Sequence, residues 1–103
     1  MLGTLLRTQL DRGLLIRTPY VDRILDGRKT WEIRGSRTAV RGPIALIRSK
    51  SGQIVGQCEL VDVQGPLSLA DLRKNARKAG FAVREIRKLP YSKTYAWVLR
   101  RAR

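Results

Sequence analysis

"GLLIRTPYVDRILDGRKTWEIRG", residues 13–35, holds a complete strand–helix–strand unit, and its punctuation decides how the rest of the chain reads. Gly13 to Pro19 is an apolar run that ends where proline removes a backbone donor, which predicts a first strand. Thr18-Pro19 then has the chemistry of an N-cap followed by a first helical position, and Gly27 that of a C-terminal stop. Between them Val21, Ile24 and Leu25 fall at i, i+3 and i+4, one apolar stripe on a short helix. After Gly27 the period changes to two. Trp31 and Ile33 share one face of a strand, and Thr30, Glu32 and Arg34 share the other. Trp31 and Ile33 are therefore expected in the core, with Glu32 and Arg34 on a polar face beside Lys29.

Outward from this unit, "GSRTAVRGP" (Gly35 to Pro43) is rich in turn residues and carries Arg37 and Arg41. "IALIR" (Ile44 to Arg48) is apolar on both faces, as a central strand is. "SKSGQ" supplies a hairpin turn with Ser51-Gly52 at its tip, and Ile54 to Val63 is the return strand. Gly56 within that strand marks a bulge or a close backbone approach. Ser68-Leu69-Ala70-Asp71 is an S-x-x-D start for a helix that carries Leu72, Ala76 and Ala79 and stops at Gly80. Its other face is Arg73, Lys74, Arg77 and Lys78. "FAVREIRKL" reads as a further short helical piece. "SKTYAWVLRRAR" closes as a strand with Tyr95, Trp97 and Leu99 on one face and Ala96 and Val98 on the other. This order predicts an α+β domain: a small, mixed, partly closed β-barrel of about five strands with two or three short helices, rather than a doubly wound sheet.

At 103 residues one domain is expected, spanning residues 13–103. Residues 1–12 read as an amphipathic extension, with Leu2, Leu5, Leu6 and Leu10 interrupted by Arg7 and Asp11. No apolar run approaches the roughly 18 residues of a membrane span, and the extension lacks the aromatic and basic face of a surface anchor, so no membrane partner is expected. The charge is the strongest bulk signal. The chain has 22 Lys plus Arg against 8 Asp plus Glu, a net charge of +14 whose self-repulsion calls for a polyanionic partner. Nucleic acid is the first candidate and an anionic membrane surface the second. The single cysteine, Cys58, excludes an intrachain disulfide and suits a reducing, cytoplasmic setting. It sits in an apolar strand, which points to a buried structural role. The absence of histidine excludes Ser-His-Asp and Cys-His mechanisms and argues against zinc; no metal and no cofactor is expected.

Lys29, Glu32 and Arg34 lie within six residues, just after a helix-stopping glycine. A turn leading into an extended strand can aim a lysine and an arginine at one small volume, with the acid limiting their repulsion. Such a cluster can hold a phosphate or carboxylate, or hydrogen-bond a base edge. Spacing alone also fits a solvated strand edge whose ion pairs are worth under about 1 kcal/mol each.

Gly27, Lys29, Glu32 and Arg34 match the G-x-K-x-x-E-x-R signature of the ASCH family, a group of PUA-like domains, and the chain resembles that family from Gly13 to Leu99. "GPIALIRS", "VGQCELVDVQGPLSL" and "LPYSKTYAWVL" extend the resemblance in the right order. It implies a small β-barrel with a helix after the first strand and a cleft for RNA or a modified nucleotide near the signature. On that analogy Lys29, Glu32 and Arg34 line the cleft, Gly27 and Gly35 shape its backbone, and Ser36 and Arg37 continue it. Tyr91, Lys93 and Tyr95 are candidates for the facing wall, where an aromatic would stack on a base; the bland alternative makes Tyr95 core. The resemblance also implies a further apolar strand after "YAWVL". Its lack here would leave the barrel open, closed by a partner or by a second protomer in a homodimer, or would reflect a shortened chain.

Two activities follow from the resemblance as alternatives to binding. One is amide hydrolysis of N-acetylated cytidine, with Lys29 as the reactive lysine; the other is cleavage of RNA, with Lys29 and Glu32 as the acid–base pair. The amidohydrolases have a threonine where this chain has Glu32, and a carboxylate beside a lysine favours the unreactive ammonium. Glu59 and Glu85 are further candidates for proton transfer. The favoured expectation is nucleic-acid binding, RNA ahead of DNA, with Arg73, Lys74, Arg77, Lys78, Arg37, Arg41, Arg100, Arg101 and Arg103 as phosphate contacts. A protein-interaction module is the third and weakest reading.

Overall fold

A computed structural model describes residues 12–103. The amphipathic extension expected over residues 1–12 falls outside them, apart from Arg12. The chain runs β1 (Gly13–Ile16), α1 (Tyr20–Leu25), β2 (Trp31–Arg34), β3 (Gly42–Arg48), β4 (Gln53–Gln64), α2 (Leu69–Lys74), α3 (Ala76–Ala79), a 3₁₀ helix (Val83–Lys88) and β5 (Tyr95–Arg100). The five strands form one sheet in the order β1-β3-β4-β5-β2, with β1 parallel to β3 and the other pairs antiparallel.

Both faces of this sheet are covered. Leu14, Ile16, Ile44, Leu46, Cys58, Leu60 and Leu99 line one face and pack with Val21 and Ile24 of α1. Trp31, Ile33, Ala96 and Val98 line the other, against Leu72, Ala79 and Ile86 of the helical segment. The alternation along β5 is thus an alternation between two cores, whereas on β2 only Trp31 and Ile33 enter one. Glu32 and Arg34 do not simply face water: they share the face of β2 that looks into the curl of the sheet.

That curl brings the two edge strands together. In a flat five-stranded sheet the edges would lie about 19 Å apart at the usual strand spacing. Here an Arg34 guanidinium nitrogen on β2 donates to the Leu15 carbonyl on β1 at 2.9 Å. No backbone ladder joins β1 to β2, so the expected barrel is approximate: a curled sheet with an open seam, crossed by a side chain.

Local chemistry explains most of the element boundaries. Gly27 takes φ +86 and its N–H returns to the Ile24 carbonyl, ending α1. Thr18 does not cap α1 as its sequence position suggests. Its hydroxyl accepts from Arg48, which also holds Asp22 through two bonds of 2.7 and 3.1 Å. Gly56 fulfils both readings of its place in β4. The β3–β4 register slips beside it, and a Cβ there would stand 2.4 Å from Leu25 and 2.7 Å from the Arg103 carbonyl oxygen. Burial and the neighbouring Glu59 push the Cys58 thiol up to about 11, so it is a buried thiol and no thiolate at neutral pH. No helix among the described residues is long and apolar enough to cross a membrane.

The helix expected from Ser68 to Gly80 is two pieces. Asn75 leaves helical geometry at φ −114, and both its N–H and its side-chain amide turn to the Asp71 carbonyl, the local competition for which asparagine is disfavoured inside helices. The start is as the sequence specifies: Ser68 Oγ accepts from Asp71 N at 3.0 Å, and the Asp71 carboxylate accepts from Ser68 N at 2.9 Å. Ser68→Ala should therefore lower stability by about 1 kcal/mol, a melting-point drop of about 4–8 °C for a domain of this size. Thermal denaturation followed by circular dichroism reads this directly; an unchanged midpoint would mean the cap contributes nothing.

Candidate functional site

The seam between β1 and β2 is a cleft of about 240 Å³. The end of β1 contributes Leu15, Ile16 and Arg17, α1 contributes Tyr20, and the signature segment contributes Lys29, Glu32, Ile33 and Arg34. Phe81, Leu89, Pro90 and Tyr91 form the remaining wall. One carboxylate stands among three cations, and three aromatic rings are within the lining.

The left-handed turn at Gly27 separates the signature's charges. Arg28 is directed out, pairing with Asp26 at the surface. Lys29 is directed in and is 3% exposed, among the least exposed polar groups described. Its Nζ donates to the Trp31 carbonyl and to the Ala79 carbonyl, both at 2.5 Å, and lies 3.5 Å from Glu32 Oε1. Ala79 ends α3, so Lys29 answers a carbonyl left free at a helix terminus. Arg23 does the same at the Gly80 carbonyl. The lysine stem packs flat on Gly80, where an added Cβ would stand 2.8 Å from Lys29 Cδ, and Gly80 takes φ +75 besides. Burial lowers the Lys29 pKa, with Arg23 and Arg34 adding to it, while Glu32 opposes the shift.

Glu32, 12% exposed, connects the two cations. Its Oε2 accepts from Arg34 Nε at 3.1 Å while Oε1 faces Lys29. Arg34 then reaches Leu15 and lies over the Trp97 ring at 5.5 Å. The path Ala79–Lys29–Glu32–Arg34–Leu15 is a polar strap across the seam, standing where a closed barrel would have a ladder. Chemically it suits holding better than nucleophilic attack. Three acceptors surround the Lys29 nitrogen, one for each proton of an ammonium, whereas a neutral amine would aim its lone pair at one of them.

The cleft's other wall is aromatic. The Tyr20 hydroxyl donates to Glu85 at 3.3 Å, and its ring lies 5.5 Å from the Arg23 guanidinium and 5.7 Å from Lys29 Nζ. The Tyr91 ring covers Gly35, where a Cβ would come within 2.7 Å of it, so only glycine leaves room for the tyrosine.

Of the residues singled out by sequence, Lys29, Glu32, Arg34 and Tyr91 converge on this cleft. Gly35 backs it through Tyr91. Gly27 borders a separate hollow beside Leu99 and Arg100. Ser36, Arg37 and Tyr95 form a neighbouring group: the Ser36 carbonyl accepts from Trp97 Nε1 at 2.9 Å, Arg37 bonds the Gly65 carbonyl, and its guanidinium lies 5.8 Å from the Tyr95 ring. Lys93 is exposed and does not line the cleft. Glu59 pairs with Arg101 on β4, away from the lining, and Glu85 reaches it only through Tyr20. Arg73, Lys74, Arg77 and Lys78 are exposed as expected. Tyr20, Arg17 and Phe81 line the cleft without a sequence cue specific enough to select them; Tyr20 sits at the first position of α1, and nothing local says that its ring meets Lys29.

The family model described as ASCH domain matches residues 14–103. No curated protein matches the chain. Among solved structures, the crystal structure of ASCH from Zymomonas mobilis superposes with a TM-score of 0.71 at 18% identity, covering 86% of this chain and 66% of that one. A tyrosine-to-phenylalanine variant of that protein gives 0.69 at 20% identity, covering 86% and 68%. At these identities the likeness speaks for the fold. The chain spans just under two thirds of the length of the first of these proteins.

Proposed function

The chain belongs to the ASCH domain family, a PUA-like fold generally linked to RNA binding, and from that premise we propose that it binds nucleic acid, RNA ahead of DNA, with a base or nucleotide in the seam cleft. The observation that carries this reading is the pairing, in one concave site, of aromatic rings with cations already fixed in place. Tyr20 and Tyr91 are suited to stack on a base, which is sequence-tolerant and worth about 1–3 kcal/mol per base. Arg17, exposed at the rim, is suited to a base edge or phosphate, and Arg34, held by Glu32 and Leu15, keeps a positive wall in place. The net charge of +14 supplies the remaining, sequence-independent attraction. Hydrolysis of RNA or of a modified nucleoside is not favoured by any single contact in the cleft, since Lys29 is engaged by its own backbone and by Glu32.

Fluorescence anisotropy with a short single-stranded RNA across a salt series tests the proposal. Affinity should fall linearly on log–log axes with a slope of about −0.7 for each phosphate engaged. Tyr91→Ala should weaken binding by about 10-fold while leaving the salt slope unchanged, because it removes stacking and no charge. A flat salt response, or a Tyr91→Ala variant that binds as the parent does, would defeat the reading.

A further inference from the structure

The seam cleft has a neighbour on each side. Toward the β3–β4 turn, a second hollow of about 410 Å³ shares Arg17 and Tyr20 with it and is bounded further by Thr18, Ser49 and Lys50. On the other side, a third hollow of about 520 Å³ shares Leu89 and Tyr91 and has an apolar wall of Leu67, Leu69 and Leu72. Each of the two tyrosines thus lines two of three neighbouring hollows, which together offer a groove.

The ends of this groove differ in chemistry. At the turn end Arg17 and Lys50 are exposed, and among the described residues neither side chain has a hydrogen-bond or ion-pair partner. Most arginines nearby are spent on the protein itself: Arg23 on Gly80, Arg34 on Glu32 and Leu15, Arg48 on Asp22. Lys50 is held at φ +75 in the turn, on backbone that is glycine's usual territory. At the far end Leu69 is 53% exposed, in a hollow where leucines and Ile86 stand with Ser92 and Thr94; among the described residues no charged side chain lines it.

We propose that the ligand is a single-stranded oligonucleotide rather than a free nucleotide, laid along this groove with a phosphate at Arg17 and Lys50, a nucleotide in the seam cleft, and a further base on the apolar wall beyond Tyr91. The inference rests on the nucleic-acid reading of the cleft. Unpartnered cations at one end attract backbone phosphate without reading sequence. Aromatic rings shared by neighbouring hollows and an apolar wall at the far end offer successive bases a surface to stack on. The footprint is about three nucleotides, below the roughly 4–16 of larger single-strand-binding folds.

Hexauridylate and uridine 5′-monophosphate are the probes. The hexamer should bind at least about 10-fold more tightly, and its salt slope should be steeper. Lys50→Ala, at an exposed turn position outside the seam cleft, should make the hexamer slope shallower by about 0.7, the equivalent of one phosphate, with Lys50→Glu weakening it further. Leu69→Asp should weaken the hexamer several-fold. Leu69→Asp should leave affinity for the monophosphate unchanged, because the wall it alters takes a further base that the monophosphate lacks. Equal affinity for the two probes, or a hexamer slope untouched by Lys50→Ala, overturns the groove and leaves the cleft reading standing. Failure of both probes to bind overturns both.

Discussion

Lys29→Met should destabilise the fold by about 3–5 kcal/mol, the cost of breaking a buried, hydrogen-bonded charge pair from one side. Methionine keeps an unbranched stem to lie on Gly80, so packing changes little and the measurement isolates the ammonium. Its loss strands the Trp31 and Ala79 carbonyls and leaves Glu32, 12% exposed, to Arg34 alone. Chemical denaturation of the two proteins reads the difference; a loss below about 1 kcal/mol would return Lys29 to the class of solvated ion pairs. The pH dependence has a definite sign. Burial lowers the folded-state pKa below the ordinary 10.5, so in the window just beneath 10.5 the unfolded chain holds the extra proton. Stability then rises with pH across that window, and the wild type should gain on Lys29→Met as the solution is made more alkaline.

This prediction concerns the same residue that the family signature would nominate for chemistry, and the two roles differ in what they require. A nucleophile needs a free lone pair facing a ligand. The nitrogen of Lys29 faces its own chain on three sides. Stability and site construction are accordingly coupled here: the lysine that satisfies the last carbonyl of α3 also faces Glu32, and Glu32 holds Arg34.

The sequence carried the elements of this arrangement further than their convergence. Trp31 and Ile33 lie in the core because a period of two leaves no other face for them, and Ser68 caps α2 because its side chain and that of Asp71 can satisfy each other's N–H groups. Gly27 and Gly80 each follow an apolar stripe, where a helix stop belongs, and both take positive φ. Where one local signal competed with another, the reading failed. Asn75 splits an otherwise continuous helix, and Thr18 gives its hydroxyl to Arg48 instead of to a helix N–H. The cleft itself depends on contacts spanning 19 to 65 positions, Arg34 to Leu15, Lys29 to Ala79 and Tyr20 to Glu85. No periodicity encodes such distances. The facing wall shows the same limit: Tyr91 reaches the cleft because Gly35 leaves it room, whereas Tyr95 pairs with Arg34 in the β2–β5 register and lies beside Arg37 instead.

Arg34 is where the strap and the proposed ligand meet, and its substitutions should separate geometry from charge. Its Nε is held by Glu32, another guanidinium nitrogen by Leu15, and its plane lies over Trp97. Lysine keeps the positive charge but not the fork, and from one ammonium it cannot reach Glu32, Leu15 and the Trp97 face together. If the arginine acted only through charge, Arg34→Lys would bind RNA as the parent does and Arg34→Ala would lose one phosphate's worth of salt slope. If it acts by holding the seam at the width of a base, both variants should lose affinity alike, by about 10–100-fold, or about 1.4–2.8 kcal/mol. Stability should fall only modestly, because the Arg34 side chain is 29% exposed and its ion pair is partly reached by water. Arg73→Ala, on the exposed face of α2 away from the cleft, supplies the comparison: a small affinity loss accompanied by a shallower slope. Parental affinity in Arg34→Lys would show that the strap does not set the cleft, and that the signature arginine serves as one cation among many.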